Sequence, residues 1–498
     1  MRRSPSFNRV PRNPKPRAAA GTCENKAGRF PYMQFVSTRG GAVVPGFSDA
    51  VLAGLASDGG LFVPETWPQI TPSEIAAYAN RPYAEVAFDV IRRFVEGEIP
   101  DVELKRIIHE AYATFRHPSV APLVEIEPGH FVLELFHGPT LAFKDVAMQF
   151  LARVMDHILA RRGSRATIVG ATSGDTGSAA IEAFRGRDAT DIFILHPEGR
   201  TSEVQRRQMT TVLDANVHNI ALRGTFDDCQ DVVKGLFNNR RFRDATQLSG
   251  VNSINWGRIV AQIVYYFTAA ASLGAPQREV IFTVPTGNFG DIFAGYCAAK
   301  MGLPIKTLAI ATNSNDILAR TLQTGRYEVT GVHPTISPSM DIQVSSNFER
   351  LLFESVDRDA DAVKSMMSGL KQSGGFGIPD KGMAAIRRQF VAGRTNEADT
   401  AATIKAVQTG SGYLLDPHSA VAVAVARTLV GGPAPVVTLS TAHPAKFPAA
   451  VKVAAGIEPA LPAWLSDLYE REERYTVLDN DQAEVERFIT ARTRAGGA

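Results

Sequence analysis

The chain holds 498 residues, of which 45% are hydrophobic and 21% charged, a size and balance that predict two or three packed soluble units rather than one core. The formal net charge of +2 is uneven, with +7 in residues 1–31 and −5 in the rest, and a mildly acidic body excludes a nucleic-acid surface. Three cysteines are too few for a disulfide framework, no run approaches the ~20 apolar residues that span a bilayer, and ten histidines without a helical-spacing pair predict no metal site.

Residues 1–32 (MRRSPSFNRVPRNPKPRAAAGTCENKAGRFPY) are arginine-rich and broken by prolines, so a disordered basic tail is expected. Acid-poor, arginine-rich segments can serve as organelle transit peptides. Without an amphipathic helix here, the preferred expectation is a start at Met33 and a cytoplasmic protein. Residues 33–121 predict a mixed N-terminal domain. TRGGAVVPGFSDAVLAGLASDGGLFVP places glycine-rich turns around a short helix, and VAFDVIRRFV and VELKRIIHEAYATF space apolar residues three and four apart.

Residues 122–465 alternate steadily. The strand FVLEL precedes a helix from Lys144 to about Ala160, ATIVGAT precedes GSAAIEAFRG, and DIFILHP precedes TSEVQRRQMTTVL. NVHNIALRG then leads into DDCQDVVKGLFNN, EVIFTVPTG into DIFAGYCAAKMG, and KTLAIAT into NDILARTLQTG, with a late strand near Val436–Leu439. Near-continuous Val/Ile/Leu strands between helices predict an α/β fold of open parallel sheets with helices on both faces, with a smaller lobe at about residues 145–240. The helix expected over Asn255–Gly274 is apolar enough to be deeply buried, and residues 466–498 predict a charged helical extension.

Ligands of open parallel sheets bind at the carboxyl ends of strands, and three loops there are unusual. PTGNFGDIFAGYCAAK (285–300) sets Gly287 and Gly290 around Asn288 and Phe289 at a helix start, a pattern suited to holding a phosphate on backbone amides. It lacks the GxxxxGK[ST] and GxGxxG patterns of nucleotide loops. GATSGDTGSAAIEAF (170–184) crowds Thr172, Ser173, Asp175 and Thr176 at a second helix start, which suits a small anion or simple helix capping equally. The third, ELFHGPTLAFKD, puts Lys144 at the positive end of a helix behind a Gly-Pro turn and an apolar wall. A solvated lysine with Asp145 softening the dipole conflict is the bland outcome. Desolvation and the dipole would also lower the amine's pKa and favour attack on a carbonyl. A lysine for an aldehyde, a glycine loop for a phosphate and a polar loop for a carboxylate together suit pyridoxal phosphate.

Five stretches, STRGG…GLASDGGLFVPE, ELFHGPTLAFKD, GATSGDTGSAA, VPTGNFGDIFAGY and LSTAHPAKFP, carry a resemblance to the threonine synthase family. The likeness is to its longer subgroup with an N-terminal domain, among the tryptophan synthase β-like pyridoxal-phosphate enzymes of fold type II. It implies that Lys144 is the Schiff-base lysine, that Gly287, Asn288, Phe289, Gly290 and Asp291 form the phosphate loop, and that Thr441 contacts the pyridine nitrogen. It also implies that the loop of Thr172, Ser173, Asp175 and Thr176 holds the substrate carboxylate. Related enzymes often have asparagine where Asp175 stands. The reaction implied is O-phospho-L-homoserine plus water to L-threonine and phosphate, with Lys144 as the proton-transferring base.

For the substrate phosphate, Arg258 and Lys446 are the candidate cations, with a buried salt bridge and a helix-start lysine as their structural alternatives. His443 is expected to order a loop. The rival activity is a related phospho-lyase that releases 2-oxobutyrate from the same substrate. A non-catalytic phosphometabolite binder is disfavoured by the intact Lys144, and a nicotinamide oxidoreductase by the missing GxGxxG. The expected partner is the small-molecule substrate, for a monomer or a homodimer.

Overall fold

The computed structural model describes residues 32–496, so the expectations for the basic tail before Tyr32 lie outside the described residues. Two sheets carry the architecture. The larger has six strands in the order Phe390–Arg394, Ile305–Thr312, Val280–Pro285, Val436–Ser440, His130–Glu134 and Leu123–Glu127. Its neighbours run parallel except for the antiparallel edge strand Leu123–Glu127. The smaller has five parallel strands in the order Thr476–Leu478, Val217–Leu222, Thr190–Pro197, Ala166–Ala171 and Leu248–Ser249. Val280–Pro285 and Thr190–Pro197 are buried at every residue, as strands covered by helices on both faces must be. The expected α/β architecture of open parallel sheets is therefore present.

The helix Trp256–Ser272 is buried at all but Thr268 and Ser272. It packs between the helices Lys144–Arg161 and Gly290–Lys300 and, at its outer face, Tyr83–Val95. Trp256 meets Phe35 and Phe94 with ring centroids 5.7 Å away and Trp67 at 6.3 Å. Full burial of side chains such as Phe35 and Phe94 contributes about 2 kcal/mol each, so this aromatic cluster joins the N-terminal elements to the buried helix Trp256–Ser272. Arg350 makes a second join. Fully buried, it donates to Phe62 O at 2.9 Å, to Ile254 O at 2.6 Å and to the Asn347 side chain.

The C-terminal segment differs from its expectation as a helical extension. A helix is present only over Gln482–Thr490, packed on the helix Phe226–Asn238. Upstream, Thr476–Leu478 is a strand that pairs in parallel with Ile220–Leu222 and closes the edge of the smaller sheet. The exposed charges of LYEREERY mask this short Thr-Val-Leu run, and an unpaired sheet edge supplies the partner that no local pattern could announce.

Candidate active site

The Lys144 loop, the residue 172–177 loop, the residue 286–291 loop and Thr441 all follow strands at their carboxyl ends. Lys144 begins its helix and is 8% exposed. Leu141 takes φ +63°, turning the chain so that residues 141–143 run beside 441–443. Phe143 N donates to Thr441 O at 2.8 Å, His443 N donates to Leu141 O at 3.0 Å, and Ala142 bridges Ala442. This ladder holds Lys144 and Thr441 side by side. Asp145 does not soften the dipole conflict at Lys144. It turns away, is fully buried, and accepts from Thr140 N at 2.8 Å and Thr140 Oγ1 at 2.7 Å. A side chain at Gly138 would strike Asp145, which is why the turn carries glycine.

Asp175 lies across from Lys144. Its Oδ2 is 3.4 Å from Lys144 Nζ and accepts from Ser339 Oγ at 3.3 Å. Its Oδ1 is 2.8 Å from Lys446 Nζ and accepts from Gln205 Nε2 at 2.8 Å. Burial alone would push the Asp175 carboxyl up, but Lys446 and Lys144 outweigh it and hold it well below the usual range. Burial lowers the Lys144 amine; Asp175 opposes this, while the cations Lys446 and Arg258 add to it. The Asp175 carboxylate is thus committed to cations, and only its backbone amide remains for a substrate carboxylate. Thr172 is committed as well: its Oγ1 accepts from Gly174 N at 3.0 Å and Gly177 N at 2.9 Å. Ser173 and Thr176 line the cavity beside Lys144.

The glycine loop forms an anion cradle. Ser345 Oγ donates to Gly287 O at 2.6 Å, and Asn347 donates to Asn288 O from its amide at 3.0 Å and its side chain at 2.9 Å. In planar trans peptides those carbonyls turn the N–H groups of Asn288 and Phe289 the opposite way, and Gly290 and Asp291 add the free amides of a helix start. Phe289 sits at φ +63° to cap this helix, and a Cβ on Gly287 would lie 2.7 Å from Ser339 O. Asp291 is held below the cradle by the hydroxyls of Tyr265 and Tyr266, both bonded to its Oδ1. Burial pushes its carboxyl up to about 7 against those hydroxyls, and its Oδ2 is buried without a partner.

These loops line one cavity of about 480 Å³, within the ~300–1,000 Å³ range of small-molecule sites. Arg258 reaches it at 4% exposure, donating only to Val251 O at 3.4 Å. Burial lowers its guanidinium to about 10, and among the described residues no carboxylate pairs with it. Lys446 does not line the cavity. It is fully buried between Asp175 and Thr140 O, to which it donates at 2.7 Å. Of the two candidate phosphate cations, the structure brings Arg258 to the cavity and withdraws Lys446 behind Asp175.

Three family models match consecutive stretches: threonine synthase N terminus over residues 34–112, pyridoxal-phosphate dependent enzyme over 115–368, and threonine synthase, C-terminal, over 419–489. Threonine synthase of Pseudomonas aeruginosa is 55% identical over 466 residues, covering 93% of this chain and 99% of that protein. The chain belongs to the threonine synthase family. Among solved structures, pyridoxal-phosphate-bound threonine synthase from Brucella melitensis superposes with TM-score 0.92 at 63% identity, covering 93% of this chain and all of that one. Yeast threonine synthase superposes with TM-score 0.88 at 40% identity over 92% of this chain and 98% of that one.

As a member of the threonine synthase family the chain is a pyridoxal-phosphate-dependent enzyme, and its residues fit that cofactor. A buried amine, an amide cradle and the cavity-lining Thr441, 6% exposed, stand around one space. The site also contains groups that sequence reasoning missed. His418 lines the cavity, with Nδ1 on Asp416 Oδ1 at 2.8 Å and Nε2 accepting from Ser339 N at 3.2 Å. Gln205, Ser339, Asn347 and Arg350 support Asp175 and the cradle. They come from two stretches with no motif of their own, one at Gln205 and one over residues 339–350, and Ser339 lies 164 residues from the Asp175 it touches.

Proposed function

We propose that this chain converts O-phospho-L-homoserine and water into L-threonine and phosphate, as the last step of threonine formation. The observation that carries this reading is the pairing of two anion sites in one cavity, the amide cradle at 287–291 and the uncompensated Arg258 guanidinium, with the Lys144 amine in the same space. One cradle serves the cofactor phosphate. The second cation serves a phosphate carried by the substrate. A substrate without phosphate would leave Arg258 buried and unpaired, which is costly.

When bound, pyridoxal phosphate supplies an electron-withdrawing ring that makes protons near the substrate's amino-bearing carbon removable. The amides of residues 287–291 would hold its phosphate end and Lys144 its aldehyde end, and the Thr441 hydroxyl would serve the pyridine nitrogen. A hydroxyl there stabilises the protonated ring less than a carboxylate would, which suits elimination over racemisation. The amides and hydroxyls of Ser173 and Thr176 bind the substrate carboxylate at a helix start.

Lys144, its amine lowered by burial, would take the proton from the substrate's Cα and move protons at Cβ and Cγ. Asp175 keeps that amine in reach. Its negative charge keeps the amine from losing its proton affinity altogether, while Lys446 prevents Asp175 from being neutralised. Arg258 takes up the charge of the phosphate that leaves from Cγ, and water adds at Cβ. Free, buried Cys229 and Cys297 agree with a reducing cytoplasm.

The deciding experiment incubates the purified protein with O-phospho-L-homoserine and measures phosphate and threonine together. Equal release of both is expected. Phosphate with 2-oxobutyrate and ammonia would assign the rival lyase reaction instead. Replacement Lys144→Ala removes both products and the cofactor's visible absorbance.

A further inference from the structure

A second cavity, of about 490 Å³, lies on the far side of the ladder that carries Lys144. Leu141 and His443, one from each strand of the ladder, line it together with Pro462 and Trp464. Its walls combine apolar side chains with the polar Arg116, Glu134, His137, Tyr413 and His443. Arg116 stacks its guanidinium over Trp464 at 5.1 Å from the ring centroid, and among the described residues no acidic side chain pairs with it. His443 Nδ1 accepts from Ala445 N at 3.1 Å, which leaves the proton on Nε2, and burial lowers its imidazole to about 4. Glu134 is spent: Oε2 meets His137 Nε2 at 2.7 Å and Oε1 accepts from Tyr413 at 2.8 Å.

The donors on offer are therefore the Arg116 guanidinium, which is exposed to solvent, and the His443 N–H, while the lining carboxylate Glu134 is already engaged. A carboxylate suits the Arg116 fork. An ammonium would meet only Glu134, whose two oxygens are already engaged by His137 and Tyr413. The remaining surface favours an apolar body that can lie against Trp464 and Leu141. None of these residues takes part in the catalysis derived above.

We propose that this cavity is a second ligand site, built for an apolar monocarboxylate without a free ammonium, whose carboxylate meets Arg116 and His443. It lies one peptide ladder from the catalytic amine, so its occupant rests on the backs of Leu141 and His443 while the reactants occupy the opposite side.

The test titrates the full-length, cofactor-loaded protein by calorimetry with 3-phenylpropionate, 3-phenylpropanamide and 3-phenylpropylamine. Saturable one-to-one binding of the acid is expected, at least tenfold tighter than the amide or the amine. Arg116→Gln and Trp464→Leu should each weaken the acid at least tenfold while the far-UV spectrum and cofactor absorbance stay unchanged. The acid should also fail to compete with O-phospho-L-homoserine in steady-state kinetics. No saturable binding, equal affinity for acid and amide, undiminished affinity in both variants, or purely competitive inhibition would each overturn the site.

Discussion

Lys446 Nζ lies 2.8 Å from Asp175 Oδ1 with no surface exposed to solvent. The other oxygen of the same carboxylate faces Lys144 at 3.4 Å. One anion thus serves two cations of different purpose, the first structural and the second chemical. A buried ion pair contributes little against an apolar replacement of both partners, but loss of one partner costs about 3–5 kcal/mol.

Lys446→Met should therefore destabilise the protein by about 3 kcal/mol and also change catalysis. Without the Lys446 cation, Asp175 answers to Lys144 alone, and the Lys144 amine rises from its lowered value. The base must be neutral to accept a proton, so the acid limb of kcat/KM moves to higher pH. A raised KM with an unmoved pH profile would instead place Lys446 on the substrate phosphate.

Arg258→Gln should lower kcat/KM for O-phospho-L-homoserine by about 100-fold, the worth of one or two charge-assisted hydrogen bonds. Cofactor content should be retained, because the cradle at 287–291 does not use this side chain. Loss of inhibition by inorganic phosphate is the second readout. Equal loss of cofactor and activity would show that Arg258 supports the cofactor rather than the substrate.

Asp291 gives stability a pH dependence in the cofactor-free protein. Its carboxyl is raised by burial to about 7, above the ~3.9 of an unfolded chain. A group raised in this way contributes fully below the unfolded value, and the contribution is lost as pH rises through the folded one. From pH 4 to 7 this amounts to about 4 kcal/mol at most. Asp291→Asn should flatten that decline, so urea midpoints of the two proteins should diverge progressively between about pH 4 and pH 7 and keep a constant separation above. Parallel curves would exclude a buried titrating Asp291.

Gly287→Ala should weaken cofactor binding at least tenfold. The added methyl would stand 2.7 Å from Ser339 O, so either the cradle or the Ser339 turn must move, and overpacking of this kind costs about 1–3 kcal/mol. Spectroscopic titration with pyridoxal phosphate measures the change. Since Ser339 also touches Asp175, kcat should fall even when cofactor is saturating.

Strand-helix alternation made the two parallel sheets legible, because buried parallel strands read as unbroken Val/Ile/Leu runs. TIVGA and VIFTVP show this, and each leads into a helix. The stretch from Arg326 to Ala426 was not legible in the same way. Its two-stranded antiparallel sheet, Arg326–Glu328 with Gly375–Gly377, has strands of three residues each, too short for a period. It is held by Tyr327 stacking on Phe376 and Phe348 at 5.0 and 5.7 Å. That same stretch delivers Ser339, Asn347 and Arg350 to the site.

The amino-acid order by itself determined the chemistry on offer, since an amine at a helix start, a Gly-Asn-Phe-Gly turn and a hydroxyl-rich loop are local features that need only their neighbours to be recognised. It also determined where they stand, at the carboxyl ends of strands. Only the tertiary structure decided how charge is shared among them. Arg258 and Lys446 look alike as isolated cations, yet one faces the cavity and the other is sealed behind Asp175. Burial and the distance between charges set that difference, and both arise from segments hundreds of residues apart meeting in space, which no stretch of sequence encodes alone.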